Sequence, residues 1–391
     1  MQILAVHNYY QQFGGEDVIF TAETDLLESH GHNVYRYTLH NDQIKTMSSW
    51  SVAKDTLWNH QVYQELRSLA AQIKPDIVHF HNTFPLVSPA AYYAVKAAGI
   101  PVVQTLNNYR LLCPNALFLR NGNVCEDCLG KVLPWPGTVH GCYQNNRAAS
   151  SVVAAMLTTH RLLHTWVNMV DVYVANLTEF ARDKFIQAGI PPDKIVIKPN
   201  FVDPDPGVGQ GQGGYALFVG RLSPEKGIAT LLSAWKQMKE SRIPLKIVGD
   251  GPLASEVGAT VNEVPDVEWL GKQPLQTIYA LMKDATFLVF PSQWYEGLPR
   301  TIVESFAVGT PIIASNLGAM SSLIRHGVTG LHFEAGSSTD LLAQVEWAVA
   351  HPQEIAGMRQ AARAEYEEKY TAEINYRKLI VIYNRILGIS T

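Results

Sequence analysis

The sequence predicts an α/β protein made of two doubly wound domains in tandem, each a parallel β-sheet with helices on both faces. The chain has 391 residues, which suits two domains of about 150–200 residues better than one. Short apolar runs alternate with helix-length periodic segments, as in buried parallel sheets with helical crossovers. A Gly- and Pro-rich segment, 202–214, separates two such series.

The first half of the chain contains six apolar runs with the length and composition of strands. They are QILAV (2–6), NVYRYTL (33–39), DIVHF (76–80), PVVQTL (101–106), VDVYVA (170–175) and KIVIK (194–198). Segments 59–73 and 88–98, which lie between them, have helical periodicity. We therefore predict a first domain that spans 1–201.

The alternation of apolar runs with helix-length segments begins again after the linker 202–214 and predicts a second domain over 215–370. Its expected strands are YALFVG (215–220), PLKIVG (244–249), DVEWLG (266–271), TFLVF (286–290) and PIIAS (311–315). From about residue 338 the pattern is helical to the end. We expect 371–391 to form a terminal helix that packs back on the first domain.

Composition excludes several classes of protein. With 47% hydrophobic and 17% charged residues, the chain can bury large cores and does not resemble a disordered protein. Its net charge of -4 and its lack of a long basic run argue against nucleic acid as a partner. The first ten residues lack the basic region of a secretory signal, so we expect a cytoplasmic protein.

The longest apolar stretch, 151–175, does not have the composition of a membrane span. It contains His160, Arg161 and His164, which are costly in a lipid core. We interpret the stretch as a partly buried helix, with a helix lying on a membrane surface as the alternative.

The segment FPSQWYEGLPRTIVESFAVGTP (290–311) is the strongest candidate for a binding site. After the strand TFLVF, a loop carries Glu296 and Gly297, and Pro299 is a favoured residue for a first helical turn. Gly309 would end that helix. The free N–H groups and the positive dipole end of such a helix form an anion site.

Glu304 lies inside the same predicted helix, where its carboxylate could accept hydrogen bonds from a ribose. Glu296, on the loop, is placed to contact a sugar. On its own, the segment is also consistent with a surface helix that Glu296 caps and whose Glu304 faces solvent.

A second segment, FVGRLSPEKGIATLL (218–232), reads as a strand, a turn and a helix. Arg221 and Lys226 lie on the turn, where two cations can clamp a diphosphate and stabilise a leaving group. Taken singly, each is also consistent with a surface ion pair. A third turn, VGDGPL (248–253), has two glycines spaced for close backbone approach, which is weak evidence alone.

The three segments together resemble the family-4 retaining glycosyltransferases of the GT-B fold. The resemblance rests on Glu, seven residues, Glu within YEGLPRTIVES, on GRLSPEKG and on VGDGPL, and it extends over essentially the whole chain. It implies two Rossmann-like domains that face each other across a cleft. The first would bind the acceptor and the second the nucleotide-sugar.

The resemblance also implies a role for each matching residue. Arg221 and Lys226 would bind the donor diphosphate, and Glu304 the ribose. Glu296 would face the donor sugar. The remaining donor contacts, largely through the main chain, would come from Gly249, Gly251, Leu270, Lys272, Gly297 and Leu298.

The implied reaction transfers a sugar from a nucleoside-diphosphate donor, a UDP- or GDP-sugar, to an acceptor hydroxyl with retention at the anomeric carbon. The acceptor would be a glycan or a lipid-linked glycan, in polysaccharide or lipopolysaccharide assembly. No catalytic metal or other cofactor is implied. Peripheral contact with the inner face of a membrane is compatible with such an acceptor.

Residues of the first half are candidates for the acceptor side. Gly14, Gly15 and Glu16 follow the first strand and open a helix, similar to the family's glycine-rich loop near the diphosphate and the acceptor, which implies that Gly15 contacts the donor and Glu16 the acceptor. His79 and His81 end the strand DIVHFHN, and we expect one of them to reach the cleft while the other packs; His81, nearer the carboxyl end, is the candidate. A histidine in the core or in a loop is the alternative for each.

One position departs from the family pattern. Relatives commonly have His beside the donor sugar after the fourth strand, whereas this chain reads Thr105-Leu106-Asn107-Asn108. Asn107 can donate and accept hydrogen bonds but cannot carry a proton charge near neutral pH. The alternative function is therefore a catalytically weak or inactive sugar-nucleotide-binding protein. A sugar phosphorylase or a nucleotide-sugar epimerase is a further alternative, although no residue marks a cofactor lysine.

Four cysteines fall within one insertion of the first domain, about 108–145. They are Cys113, Cys125, Cys128 and Cys142. The C-x2-C pair with two flanking cysteines predicts a structural zinc site, with an iron–sulfur cluster or buried thiols as alternatives. Disulfides are disfavoured in a cytoplasmic protein. The insertion would shape acceptor choice or cover the cleft.

Overall fold

A computed structural model describes residues 1–12, 14–176, 178–238, 243–264 and 266–389. Residues 13, 177, 239–242, 265 and 390–391 belong to the predicted domains but lie outside the described residues. The described residues form two six-stranded parallel sheets with helices, and a separate two-stranded hairpin. The predicted α/β class with two doubly wound domains is confirmed.

The described elements follow one another as strand and helix along most of the chain. The strands are β1 (Gln2–Tyr9), β2 (Asn33–His40), β3 (Ile77–Asn82), β4 (Val102–Leu106), β5 (Leu119–Arg120), β6 (Asn123–Val124), β7 (Val172–Ala175), β8 (Ile195–Ile197), β9 (Ala216–Val219), β10 (Leu245–Val248), β11 (Val267–Trp269), β12 (Phe287–Phe290), β13 (Ile312–Ser315) and β14 (Gly330–Phe333). The helices are α1 (Gly15–Ser29), α2 (Ser49–Leu57), α3 (His60–Ile73), α4 (Ala90–Lys96), α5 (Trp135–Val139), α6 (Arg147–Leu162), α7 (Thr165–Asn168), α8 (Glu179–Gln187), α9 (Ile228–Gln237), α10 (Ala254–Val261), α11 (Leu275–Asp284), α12 (Arg300–Ala307), α13 (Ala319–Leu323), α14 (Ser338–Ala350), α15 (Pro352–Lys369) and α16 (Ala372–Leu387).

The first sheet has the strand order β2-β1-β3-β4-β7-β8. Ile3, Val103 and Val174 on one face are fully buried and pack against Leu379 and Tyr383 of α16. The terminal helix is thus part of the core of the first sheet. The order reverses between β1 and β3, and such a switch point is where doubly wound sheets bind ligands, beyond the carboxyl ends of the strands.

The second sheet has the order β11-β10-β9-β12-β13-β14. Counted within the domain this is 3-2-1-4-5-6, the order of dinucleotide-binding folds. Consecutive strand residues face opposite sides, since Leu288 belongs to one buried core and Val289 to the other. Both faces are covered, which explains the continuous apolar runs in the sequence.

The chain divides into two compact units. One comprises Met1–Phe118, Cys125–Pro199 and Asn375–Thr391, and the other comprises Leu119–Val124 and Asn200–Ile374. In the described residues, no helix is both long enough and apolar enough to cross a membrane.

Sequence patterns located eleven of the strands but missed β14 and the hairpin β5–β6. β14 has four residues, and a Cβ atom at its first residue, Gly330, would collide with the carbonyl oxygen of Ile312. The strand reads GLHF, in which Gly330 and His332 interrupt the apolar run that marks the other short strands. The hairpin strands have two residues each.

Candidate functional site

The switch point of the second sheet lies between the carboxyl ends of β9 and β12. After β9, Arg221 is exposed and a short 3₁₀ turn, Pro224–Lys226, leads to α9. Gly227 joins the two with φ of 70°. A Cβ atom there would collide with the carbonyl oxygen of Pro291, so the close approach of the two loops requires glycine.

Lys226 and Glu296 meet at this point. The Nζ atom of Lys226 lies 2.7 Å from Oε1 of Glu296, and the Glu296 side chain is buried. The ammonium also lies 5.7 Å from the ring centre of Phe290 and 5.4 Å from that of Trp294. Two residues predicted from separate motifs are therefore in direct contact, 70 positions apart in sequence.

The same carboxylate oxygen of Glu296 accepts two further hydrogen bonds. The hydroxyl of Ser292 donates across 2.7 Å and the indole Nε1 of Trp294 across 2.8 Å. The loop is also fixed to the turn after β9, because the N–H of Gln293 donates to the carbonyl oxygen of Glu225 at 2.8 Å. These bonds hold the Glu296 carboxylate in one orientation before any ligand arrives.

Helix α12 begins after the loop that carries Glu296. Pro299 is its N-cap, Gly309 follows its end with φ of 75°, and Leu298 is buried at its start. The helix begins on the loop that follows β12, one of the two strands at the switch point.

Glu304 lies on the inner side of α12 and is 6% exposed. Its Oε1 accepts a hydrogen bond from Nε of Arg300 at 2.7 Å. Burial raises the pKa of Glu304, and Arg300 opposes that rise. The alternative in which Glu304 faces solvent is therefore wrong.

The loops that follow β10 and β11 begin at this edge of the sheet. Gly249, with φ of 140°, donates its N–H to the carbonyl oxygen of Gly271 at 2.9 Å. A Cβ atom at Gly249 would collide with the carbonyl oxygen of Gly220, and one at Gly251 would collide with Leu222. Both glycines thus serve close backbone packing. Leu270 and Lys272 lie beyond β11, with Lys272 exposed.

Both halves of the chain match models of known protein families. Residues 13–206 match the model for Glycosyltransferase Family 4, and residues 208–365 match that for Glycosyl transferases group 1. The chain belongs to glycosyltransferase family 4.

Curated members of the family align with parts of this family-4 chain. A lipopolysaccharide 1,2-N-acetylglucosaminetransferase of Salmonella typhimurium is 34% identical over 137 residues, which is 32% of this chain and 36% of that protein. A GDP-mannose-dependent alpha-mannosyltransferase of Corynebacterium glutamicum is 28% identical over 283 residues, 72% of this chain and 60% of that protein. The chain spans about a third of the first relative's length and less than two thirds of the second's.

A solved structure shows the same fold over nearly the whole chain. Anabaena Alr3699/HepE in complex with UDP-glucose superposes with a TM-score of 0.67, at 18% identity, and covers 98% of this chain and 99% of that one. The two parallel-sheet domains of this chain are therefore those of the GT-B fold.

The first domain of this family-4 protein has a cavity, open to solvent, at the carboxyl ends of β3 and β4. Its lining includes Tyr10, His81, Asn107, Asn108 and Arg110. His81 is buried, and burial holds its pKa well below the usual value. The side chain is therefore neutral near pH 7.

Asn107 is paired with a residue that sequence reasoning missed. Asn176, after β7, donates from Nδ2 to Oδ1 of Asn107 at 3.1 Å. Within the described residues, Nδ2 of Asn107 and Oδ1 of Asn176 are both buried without a hydrogen-bond partner. The pair thus keeps one amide donor and one amide acceptor for a ligand.

Glu16 belongs to the loop that precedes this cavity. It accepts hydrogen bonds from Nδ2 of Asn108 at 2.7 Å and from the hydroxyl of Tyr10 at 3.1 Å. Burial raises the pKa of Glu16, and these two bonds oppose the rise. Its neighbour Gly15 is exposed and begins α1, where a Cβ atom would meet open space.

His79 faces the core rather than the cavity. Its Nδ1 lies 2.7 Å from the hydroxyl of Tyr383, and its Nε2 lies 2.7 Å from the hydroxyl of Thr105. Burial lowers the pKa of His79 to about 4. Its ligand atoms group with those of Glu23 and His81 within 4.8 Å. However, the ammonium of Lys198 already lies 2.6 Å from Oε2 of Glu23, which disfavours a metal cation.

The predicted zinc site is not supported. Among the described residues, no three of the cysteines bring their sulfur atoms to metal-ligand spacing, and none is in a disulfide. The thiol of Cys113 lies 3.0 Å from Oδ1 of Asn115, and that of Cys128 lies 3.8 Å from the carbonyl oxygen of Pro134. Burial raises the pKa of Cys128 to about 12, so its thiol stays protonated.

Proposed function

We propose that this family-4 protein is a retaining glycosyltransferase that transfers a sugar from a nucleoside-diphosphate donor to an acceptor hydroxyl. The contact between Lys226 and Glu296 at the switch point of the second sheet carries this proposal. It brings a cation, a buried carboxylate and the N-terminus of α12 to one place. A sugar diphosphate needs all three, because its phosphates are anionic and its sugar hydroxyls donate hydrogen bonds.

The donor is bound by the second domain. Arg221 and Lys226 contact the diphosphate. The N–H groups of Gly297 and Leu298 donate hydrogen bonds to the phosphate or the sugar. Lys226 then lies between the phosphate and the carboxylate of Glu296, which keeps its ammonium oriented. Hexosyl donors of this kind need no metal, since side-chain cations and a helix N-terminus neutralise the leaving group.

The nucleoside lies along the loops beyond β10 and β11. Glu304 accepts hydrogen bonds from the ribose hydroxyls, while Arg300 opposes the rise in its pKa that burial causes. The base contacts the main chain near Gly249, Gly251, Leu270 and Lys272. The glycines allow this approach because they leave the backbone without side chains.

The transfer proceeds on one face of the sugar. The bond between the anomeric carbon and the β-phosphate oxygen breaks, and the acceptor oxygen forms a new bond to that carbon from the same side. The acceptor proton passes to the departing phosphate oxygen. Arg221 and Lys226 stabilise the negative charge that develops on the diphosphate.

The acceptor side lies in the first domain, at the cavity beside the carboxyl ends of β3 and β4. Glu16 and His81 are the candidates for contacts with the acceptor, and Asn107 for contact with the donor sugar. A lipopolysaccharide N-acetylglucosaminetransferase among the relatives favours polysaccharide or lipopolysaccharide assembly as the setting, with a glycan or lipid-linked glycan as acceptor. Relatives and structures that name UDP-glucose and GDP-mannose favour a UDP- or GDP-sugar.

A second candidate is a sugar-nucleotide-binding protein with little or no turnover. The observation that favours it is Asn107, whose amide pairs with Asn176 and cannot accept a proton near neutral pH. Such a protein would bind the donor as tightly as an enzyme does but would not release nucleoside diphosphate.

A donor screen tests both candidates. Thermal shift with UDP-, GDP- and ADP-sugars identifies the donor, and release of nucleoside diphosphate in the presence of cell-extract acceptors measures transfer. Stabilisation with release supports the transferase, and stabilisation without release supports the binding protein. A lack of stabilisation by every nucleotide-sugar contradicts both.

A further inference from the structure

The cavity of the first domain is lined by a cation that has no acidic partner. Among the described residues that line it, Arg110, on the loop after β4, is the only Lys or Arg. A guanidinium has five N–H donors. Within the described part of the chain, its one hydrogen bond goes from Nη1 to the carbonyl oxygen of Pro114, and no carboxylate forms an ion pair with it.

Two aromatic rings hold the guanidinium in place. Cζ of Arg110 lies 4.4 Å from the ring centre of Phe84 and 5.1 Å from that of Tyr143. The rings themselves meet edge to face, with their centres 5.7 Å apart. Contact with aromatic rings orients a planar cation but uses none of its N–H donors in conventional hydrogen bonds. The cation is therefore positioned while Nε and Nη2 stay available to a ligand.

The cysteine-containing insertion supplies one of these two rings. Tyr143 follows Cys142, and its N–H donates to Oγ of Ser150 at 2.9 Å, which ties it to α6. The main chain of Arg110 is also fixed, because its N–H donates to Oδ1 of Asn108 at 2.8 Å. The insertion thus helps to hold a cation at the acceptor side of the protein.

The charge of Arg110 acts on the groups around the cavity. Burial raises the pKa of the Tyr10 hydroxyl, and the charge of Arg110 opposes that rise, as it does at Tyr143. The carboxylate of Glu16, which could have neutralised this charge, accepts its hydrogen bonds from Tyr10 and Asn108 instead. An anion that enters the cavity would meet a cation without a protein counter-ion.

We propose that Arg110 binds an oxyanion of the acceptor, so that the acceptor is a negatively charged glycan. The oxyanion is the carboxylate of a uronic acid or a phosphate ester on the sugar. Two parallel N–H donors of a guanidinium match two oxygens of either group, and such charge-assisted bonds are stronger than those to a neutral hydroxyl. The proposal rests on the proposed function, because it names the class of acceptor, and it gives Arg110 no part in donor binding.

Direct binding of small probes tests the proposal without any turnover. Glucuronate, glucose 6-phosphate and glucose share one ring and carry a carboxylate, a phosphate and a hydroxyl at position 6. Titration followed by saturation-transfer NMR, with UDP or GDP in excess to fill the donor site, measures their dissociation constants. We expect the full chain to bind at least one charged probe about tenfold or more tightly than glucose. The better of the two identifies the oxyanion as carboxylate or phosphate.

Variants of Arg110 show whether this residue causes the preference. Arg110→Gln should abolish it, whereas Arg110→Lys should keep part of it, because lysine retains the charge but not the paired donors. Arg67→Gln, at an exposed position of α3, and Tyr143→Phe, which keeps the ring, should leave the preference unchanged. The melting temperature checks that each variant is folded.

Three results would overturn the proposal. They are equal binding of all three probes by the wild-type chain, an undiminished preference in Arg110→Gln, and an equal loss of all three probes in Arg110→Gln. The last result would mean that Arg110 only maintains the shape of the cavity. Release of nucleoside diphosphate with cell-extract acceptors is scored separately. Transfer without a probe preference rejects the oxyanion site alone, and a probe preference without transfer rejects the transferase alone.

Discussion

Asn176 donates a hydrogen bond to Asn107 across 3.1 Å, between residues that follow adjacent strands of the first sheet. By its resemblance to the family, Asn107 is expected to stand where relatives commonly have His, and it lines the cavity of the first domain. The pair leaves one buried amide donor unpaired within the described residues, so it can position a sugar hydroxyl but cannot carry charge.

The first prediction concerns this position. If charge or basicity matters for transfer, Asn107→His should raise kcat/KM by about tenfold or more, which is the low range of a general acid–base contribution. The rate of the variant should also gain a pH dependence near the pKa of histidine. Steady-state kinetics from pH 5.5 to 8.5 measures both. An unchanged rate would mean that histidine is dispensable in this chain.

The second prediction concerns Lys226. Its loss removes the cation next to the leaving diphosphate, so Lys226→Ala should lower kcat/KM by about 10²–10³-fold. Glu296 keeps its bonds from Ser292 and Trp294, which offset part of the loss of its cation, so the variant should still fold but melt at a lower temperature. Lys236→Ala, which removes an exposed ion pair with Glu263, is the matched control. Near-normal turnover of Lys226→Ala would contradict the proposed diphosphate site.

The third prediction concerns the buried carboxylate of Glu304. Because burial raises its pKa, the carboxylate takes up a proton at a higher pH than an exposed glutamate does. We expect the donor KM to rise as the pH falls through that raised pKa. Glu304→Gln imitates the protonated form, so its donor KM should be about tenfold higher and independent of pH.

Exposed Glu346→Gln provides the control for Glu304. It should keep the wild-type donor KM at each pH. If Glu304→Gln keeps it as well, the ribose lies elsewhere. A fall in kcat at constant KM would instead indicate that Glu304 acts on the transition state rather than on donor binding.

The sequence predicted the sheets well because buried parallel strands leave an unambiguous pattern. Strands such as β1 and β12 are continuous apolar runs bounded by turns, and crossover helices separate them. β14 was missed because Gly330 and His332 interrupt its four residues, GLHF, so that they form no continuous apolar run. Short strands of this kind are determined by their neighbours in the sheet.

The sequence predicted residues of the candidate site only where the residue type itself indicates a chemical role. Lys226 and Glu296 could be selected because charged residues follow apolar strands at one sheet edge. Ser292 and Trp294 could not, since their bonds to Glu296 depend on how the loop folds. Asn176 lies 69 positions from Asn107, and only the pairing of β4 with β7 brings them together.

The fourth prediction concerns the buried ion pair of the first domain. Nζ of Lys198 lies 2.6 Å from Oε2 of Glu23 and donates to Oδ1 of Asn375 at 3.0 Å. Lys198→Met leaves a buried carboxylate without its cation, so the free energy of unfolding should fall by about 3–5 kcal/mol. The double variant Lys198→Met/Glu23→Gln removes both charges and should recover part of that loss. Urea denaturation measures both variants. If the single and the double variant lose the same free energy of unfolding, the loss comes from changed packing and not from the unpaired charge.

The last prediction concerns the dependence of stability on pH. Burial lowers the pKa of His79 to about 4, while an unfolded histidine titrates near 6.5. Below pH 6.5 the unfolded chain therefore takes up a proton that folded His79 does not. Stability should be fully present above that pH and be lost as the pH falls toward 4, by about 2 kcal/mol between pH 6.5 and 5 for this one group.

His81, whose pKa is also lowered by burial, adds to the same slope. Urea denaturation at a series of pH values measures it as the number of protons taken up on unfolding. His79→Gln should reduce that number by about one. If His79→Gln keeps the full slope, His79 is protonated in the folded protein. Its two hydrogen bonds, to Tyr383 and Thr105, would then have to be made by an imidazolium that donates to both hydroxyls.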